Sequence, residues 1–288
     1  MYGCNNFCTY CIVPYVRGSE RSREPEAILK EVQELAKKGY QEITLLGQNV
    51  NSYGKDLETS YDFADLLSDV CAIEGSFTVR FMTSHPKDAT DKLIDVIAAN
   101  PKIARQFHLP LQSGSDAVLR AMNRHYDRAQ YLSFVERLRE KIPEIGLTTD
   151  IIVGFPGETE ADFLDTLDIL RQVRFDNIYS FLYSRRKGTP ADKMEAQVDE
   201  AVKKERFSRL LALQNQISRE RNEACVGQIV EVLVECVSKT DATKLTGRTE
   251  WSRLVHFAGD PEKYIGKKVK VRVTAVETHA MYGELITE

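Results

Sequence analysis

The sequence lacks the features that mark a membrane or secreted protein. Its 288 residues contain no run of about eighteen apolar side chains, so we expect no membrane-spanning helix. The first residues show no basic segment followed by an apolar one, so we predict no secretory signal and a cytoplasmic location. Six cysteines are too few for a disulfide scaffold in a chain of this length, and we expect a reducing compartment.

Repeats, low-complexity tracts and an excess of basic charge are also absent. The formal net charge of −4 argues against bulk nucleic-acid binding through a uniformly basic surface, although it is compatible with local basic patches. The composition is 42% apolar and 28% charged, which excludes a disordered chain and supplies enough apolar material for a sizeable core.

Strand-like and helix-like segments alternate over most of the chain. The segments that we interpret as strands are EITLLG, FTVRFMT, RQFHLPL, GLTTDIIVGF and NIYSFLY, and amphipathic helical patterns separate them. This alternation predicts an α/β fold with a mostly parallel sheet and right-handed crossovers. A partial parallel (β/α) barrel fits better than a two-layer fold.

The pattern changes past about residue 195, where one long charged helix is followed by short β-rich segments separated by turn residues. Such segments are typical of a small all-β barrel. We therefore predict an α/β domain over residues 1–221 and a β-rich domain over residues 222–288.

Three cysteines lie within the first eleven residues: Cys4, Cys8 and Cys11, spaced C-x3-C-x2-C. Thiolates select zinc, copper(I) or iron–sulfur clusters. Three thiolates around a four-iron cluster leave one iron free to bind a small molecule. The spacing also fits a zinc site completed by a distant His or Cys, or three ordinary cysteines.

The stretch CNNFCTYC resembles the signature of the radical S-adenosylmethionine (SAM) superfamily, with Tyr10 as its aromatic residue. LLGQNVNSYG, RFMTSHPKD, HLPLQSGSDAVLRAMNRHY, DIIVGFPGETE and YSRRKGTPA occur in the same order as in its methylthiotransferases, above all the tRNA-2-methylthio-N6-isopentenyladenosine synthase (MiaB) family. The β-rich tail resembles the TRAM domain of that family, an OB-like RNA-binding barrel. The resemblance covers essentially the whole chain.

The resemblance implies a radical SAM methylthiotransferase, a transferase that adds a methylthio group at C2 of N6-isopentenyladenosine in the tRNA anticodon stem-loop. It implies one 4Fe–4S cluster on Cys4, Cys8 and Cys11, with SAM on the free iron. It also implies an electron donor such as flavodoxin, and we expect a monomer. The alternatives are methylthiolation of threonylcarbamoyl-adenosine in tRNA, a non-catalytic tRNA-binding fragment, and a zinc-stabilised structural module.

The resemblance further implies SAM contacts at the carboxyl ends of the strands, where active sites of parallel barrels lie. Gln48 and Asn49 are expected at the methionyl end, Arg124 at the carboxylate, and Ile152 or Val153 at the adenine. The full set of expected cofactor-binding residues is Tyr10, Gln48, Asn49, Ser84, Gln112, Ser113, Arg124, Ile152 and Val153. Gly114 is expected to let the backbone approach a ligand closely. Without the resemblance, polar turns, helix caps and a surface arginine explain most of these residues equally well.

Basic and aromatic residues suggest where RNA binds, because arginines contact phosphates and aromatic side chains stack on splayed bases. The residues expected to contact RNA are Arg17, Arg21, Arg185, Arg248, Trp251 and Arg253. A solvated loop with ordinary ion pairs is the alternative for the first three.

Family members carry a preceding domain with three more cysteines, which hold a second cluster tied to sulfur insertion. We therefore expect this chain to be a truncated form whose first barrel strand is largely missing. We expect it to hold one cluster and SAM and to be unable to insert sulfur alone. Cys71, Cys225 and Cys236 are expected to be structural.

Overall fold

A computed structural model describes residues 1–286, which form an α/β body followed by a closed β-barrel. The helices are α1 (Val13–Arg17), α2 (Pro25–Lys37), α3 (Phe63–Ala72), α4 (Asp91–Ala99), α5 (Asp116–Ala121), α6 (Arg128–Lys141), α7 (Glu160–Val173), α8 (Glu200–Glu223) and α9 (Pro261–Tyr264). The strands are β1 (Glu42–Leu45), β2 (Thr78–Phe81), β3 (Gln106–His108), β4 (Gly146–Val153), β5 (Asn177–Leu182), β6 (Ile229–Val237), β7 (Lys244–Thr249), β8 (Leu254–Ala258), β9 (Lys268–Val276) and β10 (Ala280–Leu285). No helix within residues 1–286 is long and apolar enough to cross a membrane.

The α/β body is built on five parallel strands, as the alternating pattern predicts. β1 pairs with β2, and β3, β4 and β5 form a second parallel ladder. A short bridge joins the two ladders: the Val79 amide donates to the Lys102 carbonyl at 2.8 Å, and the Ala104 amide donates to the Val79 carbonyl at 2.9 Å. The partial parallel barrel is therefore confirmed, and its strand pairing is least extensive between β2 and β3.

The strands separate an apolar side from a polar concave side. Side chains alternate across a strand, so in β4 Leu147, Ile151 and Val153 pack in the main core while Thr148 and Asp150 face the opposite side. The helices cover the apolar side and leave the concave side as the lumen of the partial barrel. This arrangement is typical of parallel barrels, in which ligands bind at one end of the strands.

The crossover helices begin at fixed points because their first turns are capped by side chains. Capping boxes start α3 at Asp62, α6 at Asp127 and α7 at Thr159, and the Ser115 side chain caps α5. Each cap also fixes the end of the loop that precedes the helix. The loops before α3, α5 and α7 connect the carboxyl ends of β1, β3 and β4 to these helices, whereas α6 follows α5.

The β-rich domain is a closed five-stranded barrel, as predicted. Its strand order is β10-β8-β7-β6-β9, and all pairs are antiparallel except β8 with β10. This order matches the Greek-key barrel of OB-like folds. The boundary predicted at residue 222 stays a prediction; α8 ends at Glu223 and the first barrel strand begins at Ile229.

Two buried charged side chains attach the barrel to the α/β body. The Arg80 guanidinium donates to Glu42 Oε2 at 2.6 Å and to the carbonyls of Thr249 and Glu250 at 2.8 and 2.7 Å. Asp176 accepts hydrogen bonds from the Leu147 amide at 2.7 Å and from the side chains of Arg221 and Arg253. The loop between β7 and β8 is thereby held against the strands of the α/β body.

We expect Arg80→Met to destabilise the protein by about 3–5 kcal/mol, because the substitution removes the buried partner of the Glu42 carboxylate, leaving it only the longer contact with Arg248, and deprives three barrel acceptors of their donor. Urea unfolding followed by the fluorescence of Trp251, the single tryptophan, measures this loss at the interface itself.

The matched control is Arg219→Met, which removes an exposed ion pair with Glu223 on α8. This substitution should lower the free energy of unfolding by less than about 1 kcal/mol. Equal costs for the two variants would contradict a buried clamp at Arg80.

Candidate functional site

The three clustered cysteines lie on one ordered loop at the start of the chain. Cys8 is buried, with 7% of its surface exposed, whereas Cys4 and Cys11 are half-buried, and all three are free thiols. The Cys4 amide donates to the Gly18 carbonyl at 3.2 Å, and the Cys11 amide donates to the Cys8 carbonyl at 2.9 Å. A Cβ on Gly3 would lie 2.0 Å from the Ser19 carbonyl oxygen, so only glycine fits where the loop closes.

The segment 121–126 after α5 supports this cysteine loop. The Thr9 amide donates to the Met122 carbonyl at 3.1 Å, and the Asn123 amide nitrogen Nδ2 donates to the carbonyls of Asn6 and Phe7 at 3.2 and 3.1 Å. Asn123 and His125 adopt φ values of 59° and 42°, which are unfavourable for residues other than glycine. Strain of this kind clusters at functional sites, and the sequence analysis assigned no role to Asn123.

Arg124, on the same segment, is buried and points into the cysteine loop. Its Nη1 donates to Cys8 Sγ at 3.3 Å, its Nη2 donates to the Pro110 carbonyl at 3.0 Å, and its Nε donates to the Tyr126 hydroxyl at 3.0 Å. The arginine is therefore engaged with protein groups and a cysteine sulfur. A contact between Arg124 and the SAM carboxylate stays a prediction.

The environment of Cys4 and Cys11 favours their protonated form in the absence of a ligand. Burial raises the pKa of Cys4 and Cys11, and the backbone amides of Asn6 and Val13 offset part of this effect by hydrogen bonding to the sulfurs. Metal binding at these cysteines must therefore release protons.

The donor set fits an iron–sulfur cluster. Within residues 1–286, no three or more His, Cys, Asp or Glu side chains are grouped around a position for one metal ion. A four-iron cluster does not need such a group, because each cysteine thiolate bonds a different iron. Three thiols on one supported loop, with a buried cation beside the middle one, suit a cluster with three protein ligands. Of the other cysteines, Cys71 and Cys225 are buried and Cys236 is exposed.

The carboxyl ends of β1 and β2 carry buried polar atoms that lack partners among the described residues. These atoms are Asn49 Oδ1, Ser84 Oγ and His85 Nε2. Asn49 is 1% exposed, and its Nδ2 donates to Asp88 Oδ2 at 2.7 Å, which orients the free Oδ1. Buried polar atoms are almost always hydrogen-bonded, so these three atoms require partners from outside the described chain, such as waters or a bound polar ligand. SAM contacts by Asn49 and Ser84 stay predictions. Gln48, in contrast, is exposed.

His85 is neutral in this environment. Burial lowers its pKa well below the usual range, and the charge of Arg124 lowers it further. Its Nδ1 accepts a hydrogen bond from the Lys87 amide at 3.2 Å, so a neutral ring carries its proton on the partnerless Nε2. The site therefore combines donors at Ser84 and His85 with an acceptor at Asn49.

Two residues that the sequence analysis missed hold these groups in place. Asn51 Oδ1 accepts from the His85 amide at 2.8 Å, and Asn51 Nδ2 donates to the His85 carbonyl at 3.1 Å. Asp88 is buried and binds both Asn49 and the Lys55 ammonium group. The repeated asparagine in GQNVNSYG was the available signal for Asn51, whereas nothing in the sequence singled out Asp88.

Gly114, in the segment after β3, lies against α7. A Cβ on Gly114 would lie 2.5 Å from the Asp165 carbonyl oxygen and from Thr166 Cα. α7 occupies the side of Gly114 on which a Cβ would lie, so packing against this helix already requires a glycine; close approach of a ligand to this backbone stays a prediction. Ser113 is 1% exposed beside Thr166, and Gln112 bonds through its backbone to Asp150 and Ile152. SAM contacts from Gln112 and Ser113 stay predictions.

Ile152 and Val153 lie on opposite sides of β4. Val153 is 1% exposed in the main core, so its side chain faces the helices and away from the lumen. Ile152 is half-buried and joins a small apolar cluster with Tyr10 and Phe155. Of the two, only Ile152 is placed to pack on an adenine, and that contact stays a prediction.

Most residues expected to contact RNA have intramolecular partners. Arg185 bonds Asp192 at 3.0 Å, and Arg248 lies between Glu235 and Glu42. The side chain of Arg253 is 12% exposed and bonds Asp176, and Trp251 contacts Gly146 at the interface between the domains. Arg17 and Arg21 are exposed near the cysteine loop. RNA contacts by all of these residues stay predictions.

Comparison with known families adds to this geometry. Residues 1–170 match the Radical SAM superfamily, and residues 223–286 match the TRAM domain family. The tRNA-2-methylthio-N(6)-dimethylallyladenosine synthase of Alkaliphilus oremlandii is 60% identical over 288 residues, which are 100% of this chain and 61% of that protein. The proteins of the same name from Thermoanaerobacter pseudethanolicus and Clostridium botulinum strain Loch Maree are each 57% identical over 99% of this chain. They are covered over 60% and 63% of their lengths, so the chain spans somewhat less than two thirds of these relatives.

Solved structures share the fold. The radical SAM methyltransferase TsrM from Kitasatospora setae, solved with tryptophan and a SAM analogue, superimposes with a TM-score of 0.51 at 16% identity. The match covers 79% of this chain and 38% of that protein. At this identity the likeness concerns the fold alone, and it agrees with the partial barrel described above.

A pH effect follows from Glu158, which lies in the turn after β4. Its Oε1 accepts from the Gly154 amide at 3.0 Å and from Arg206 Nη1 at 2.9 Å. Burial raises the pKa of Glu158 to about 6, although these hydrogen bonds oppose the shift. The folded state then binds the proton more tightly than the unfolded state, so the free energy of unfolding falls as the pH rises. Relative to that of Glu158→Gln, the free energy of unfolding of the wild type should fall by about 2 kcal/mol between about pH 4 and pH 7.

Urea unfolding of both proteins across this pH range measures the difference. Glu160→Gln is the matched control, because Glu160 also bonds Arg206 and its pKa is lowered by the hydrogen bond from Arg209. Relative to Glu160→Gln, the wild type should become more stable as the pH rises. A wild-type curve parallel to that of Glu158→Gln would disprove the raised pKa.

Proposed function

The chain belongs to the radical SAM superfamily and carries a TRAM domain, and we propose that it performs radical chemistry on tRNA. The family implies a 4Fe–4S cluster and SAM. The observation that carries the proposal is the cysteine loop, with three free thiols held beside strand ends whose buried polar atoms lack partners in the described chain.

We assign separate tasks to the residues of the site. Cys4, Cys8 and Cys11 hold the cluster. Asn49, Ser84 and His85 bind polar groups of SAM and orient it, while Asp88 and Asn51 keep them in place. With both bound, the cluster would supply the electron that cleaves the sulfonium bond of SAM, and these residues would hold SAM in position for that chemistry.

The concave side of the barrel offers a place for the target nucleoside. His108 Nδ1 lies 3.0 Å from Thr148 Oγ1, and the His108 and Tyr179 rings meet edge to face at 5.6 Å. A cavity of about 540 Å³, lined by Gln106, Thr148, Tyr179 and Trp251 among others, lies at the amino ends of these strands next to the barrel domain, at the end of the lumen opposite the cysteine loop. Polar groups beside an aromatic ring suit a nucleobase, which needs both hydrogen bonds and stacking.

The substrate that we propose is N6-dimethylallyladenosine (isopentenyladenosine) in a tRNA anticodon loop, and the product is its 2-methylthio derivative. The names of the relatives that are 57–60% identical support this choice. We propose that the TRAM domain contributes to tRNA binding. A one-electron donor such as flavodoxin, a monomeric state and a cytoplasmic location complete the proposal.

The first test is cluster assembly under anaerobic conditions. The reconstituted wild type should contain about four irons per chain and absorb near 400 nm, with bleaching on reduction. Cys8→Ala should lose the cluster. Cys236→Ala, which removes an exposed cysteine outside the loop, should keep it. A colourless wild type with one bound zinc would refute the cluster.

The second measurement is product analysis. Wild-type protein with SAM, a reductant and isopentenylated tRNA should release 5′-deoxyadenosine, which Cys8→Ala should not do. SAM cleavage that depends on threonylcarbamoylated tRNA in place of isopentenylated tRNA would refute the substrate. Because we expect no sulfur insertion by this chain alone, mass spectrometry of the tRNA should find no methylthio product, whereas tRNA binding by Cys8→Ala and wild type alike without SAM cleavage would refute the enzyme.

A further inference from the structure

We propose that Arg124 sets the reduction potential of the cluster through its hydrogen bond to Cys8 Sγ. This inference rests on the proposed ligation of a cluster by Cys4, Cys8 and Cys11. Arg124 is a positioning residue in this scheme, because it acts through a ligand sulfur.

The position of the Arg124 side chain is fixed before any ligand binds. Only 4% of the residue is exposed, and its three guanidinium nitrogens donate separately to Cys8, Pro110 and Tyr126. The guanidinium carbon also lies 5.2 Å from the centre of the Tyr126 ring. Because the Tyr126 hydroxyl donates to the Leu111 carbonyl at 2.7 Å, the ring is itself held in place.

The charge of this arginine needs a partner that its neutral contacts do not supply. Its oxygen partners are a carbonyl and a tyrosine hydroxyl, and neither is an anion near neutral pH. A buried charge is costly unless it is paired. The Cys8 sulfur becomes anionic as a cluster thiolate and then completes the pairing. The geometry thus indicates that Arg124 is placed for the loaded state of the loop.

The electrostatic consequence has a definite sign. Reduction adds one negative charge to the cluster, so a fixed cation at a ligand sulfur stabilises the reduced form more than the oxidised form. Hydrogen bonds to cluster sulfurs and local charge are established determinants of the reduction potential. Arg124 therefore raises the potential and makes the cluster easier to reduce.

The strained backbone around Arg124 supports this role. Asn123 and His125, on either side of it, both have positive φ values, and Asn123 holds two carbonyls of the cysteine loop. The segment thus fixes the loop and the cation relative to each other. A loosely attached arginine would not need such a support.

The experiment is a redox titration of the reconstituted wild type and of Arg124→Gln, followed by electron paramagnetic resonance without SAM. We expect the substitution to lower the equilibrium constant for one-electron reduction about tenfold, which is about 59 mV. Arg120→Gln is the control, because Arg120 is exposed on the preceding helix. Its potential should equal that of the wild type.

A second measurement uses only the wild type, so it does not depend on whether a variant assembles a cluster. In wild-type protein with ¹⁵N-labelled arginine, the reduced cluster should show a hyperfine coupling to guanidinium nitrogen. Absence of this coupling, or equal potentials for wild type and Arg124→Gln, would overturn the inference. A lower SAM affinity with an unchanged potential would instead place Arg124 at the SAM carboxylate.

Iron and sulfide analysis of the wild type separates the proposed function from the role of Arg124. A wild-type protein without a cluster refutes the proposed function. Intact clusters of equal potential in wild type and Arg124→Gln refute only the role of Arg124.

Discussion

The attachment of the cysteine loop to the segment after α5 is the constraint on which the site depends. A loop with three thiols at the start of the chain has no regular secondary structure to hold its cysteines at defined distances. Hydrogen bonds from Asn123 and Arg124, together with the contact between the Thr9 amide and the Met122 carbonyl, supply that order. Asn123 and His125 adopt positive φ values, which turn this segment so that its side chains meet the cysteine loop.

The second constraint acts at the other end of the strands. Arg80 and Asp176 hold the loop between β7 and β8 against the α/β body, and Trp251 lies at this contact. The lumen is thus bordered by the barrel domain at one end and by the cysteine loop and the strand-end polar atoms at the other. Because buried ion pairs with several hydrogen bonds are costly to break, the two domains keep a fixed relative geometry. An RNA held by the barrel domain would then meet the lumen in a defined orientation.

The sequence was sufficient to predict the architecture and the residues of the cysteine loop, because both are local patterns. Alternating hydrophobic periodicities located the five parallel strands and the five strands of the barrel, and the C-x3-C-x2-C spacing identified the thiols. The contacts that the sequence did not reveal join distant parts of the chain. Gly114 accommodates α7, Val153 faces the helices and Arg253 pairs with Asp176 across the domain interface. None of these partners lies within a sequence window that periodicity can read.

The amino-acid sequence by itself determined the fold class, the superfamily and the position of the three clustered cysteines, since periodicity and motif spacing are properties of neighbouring residues. Only the tertiary structure decided what Arg124, Asn49 and Asp88 do. Arg124 and Cys8 are separated by 116 residues, and Asn49 and Asp88 by 39, so their contacts exist only after the strands have assembled. The physical reason is that burial and hydrogen bonding depend on which side chains packing brings together, and packing is a property of the whole chain.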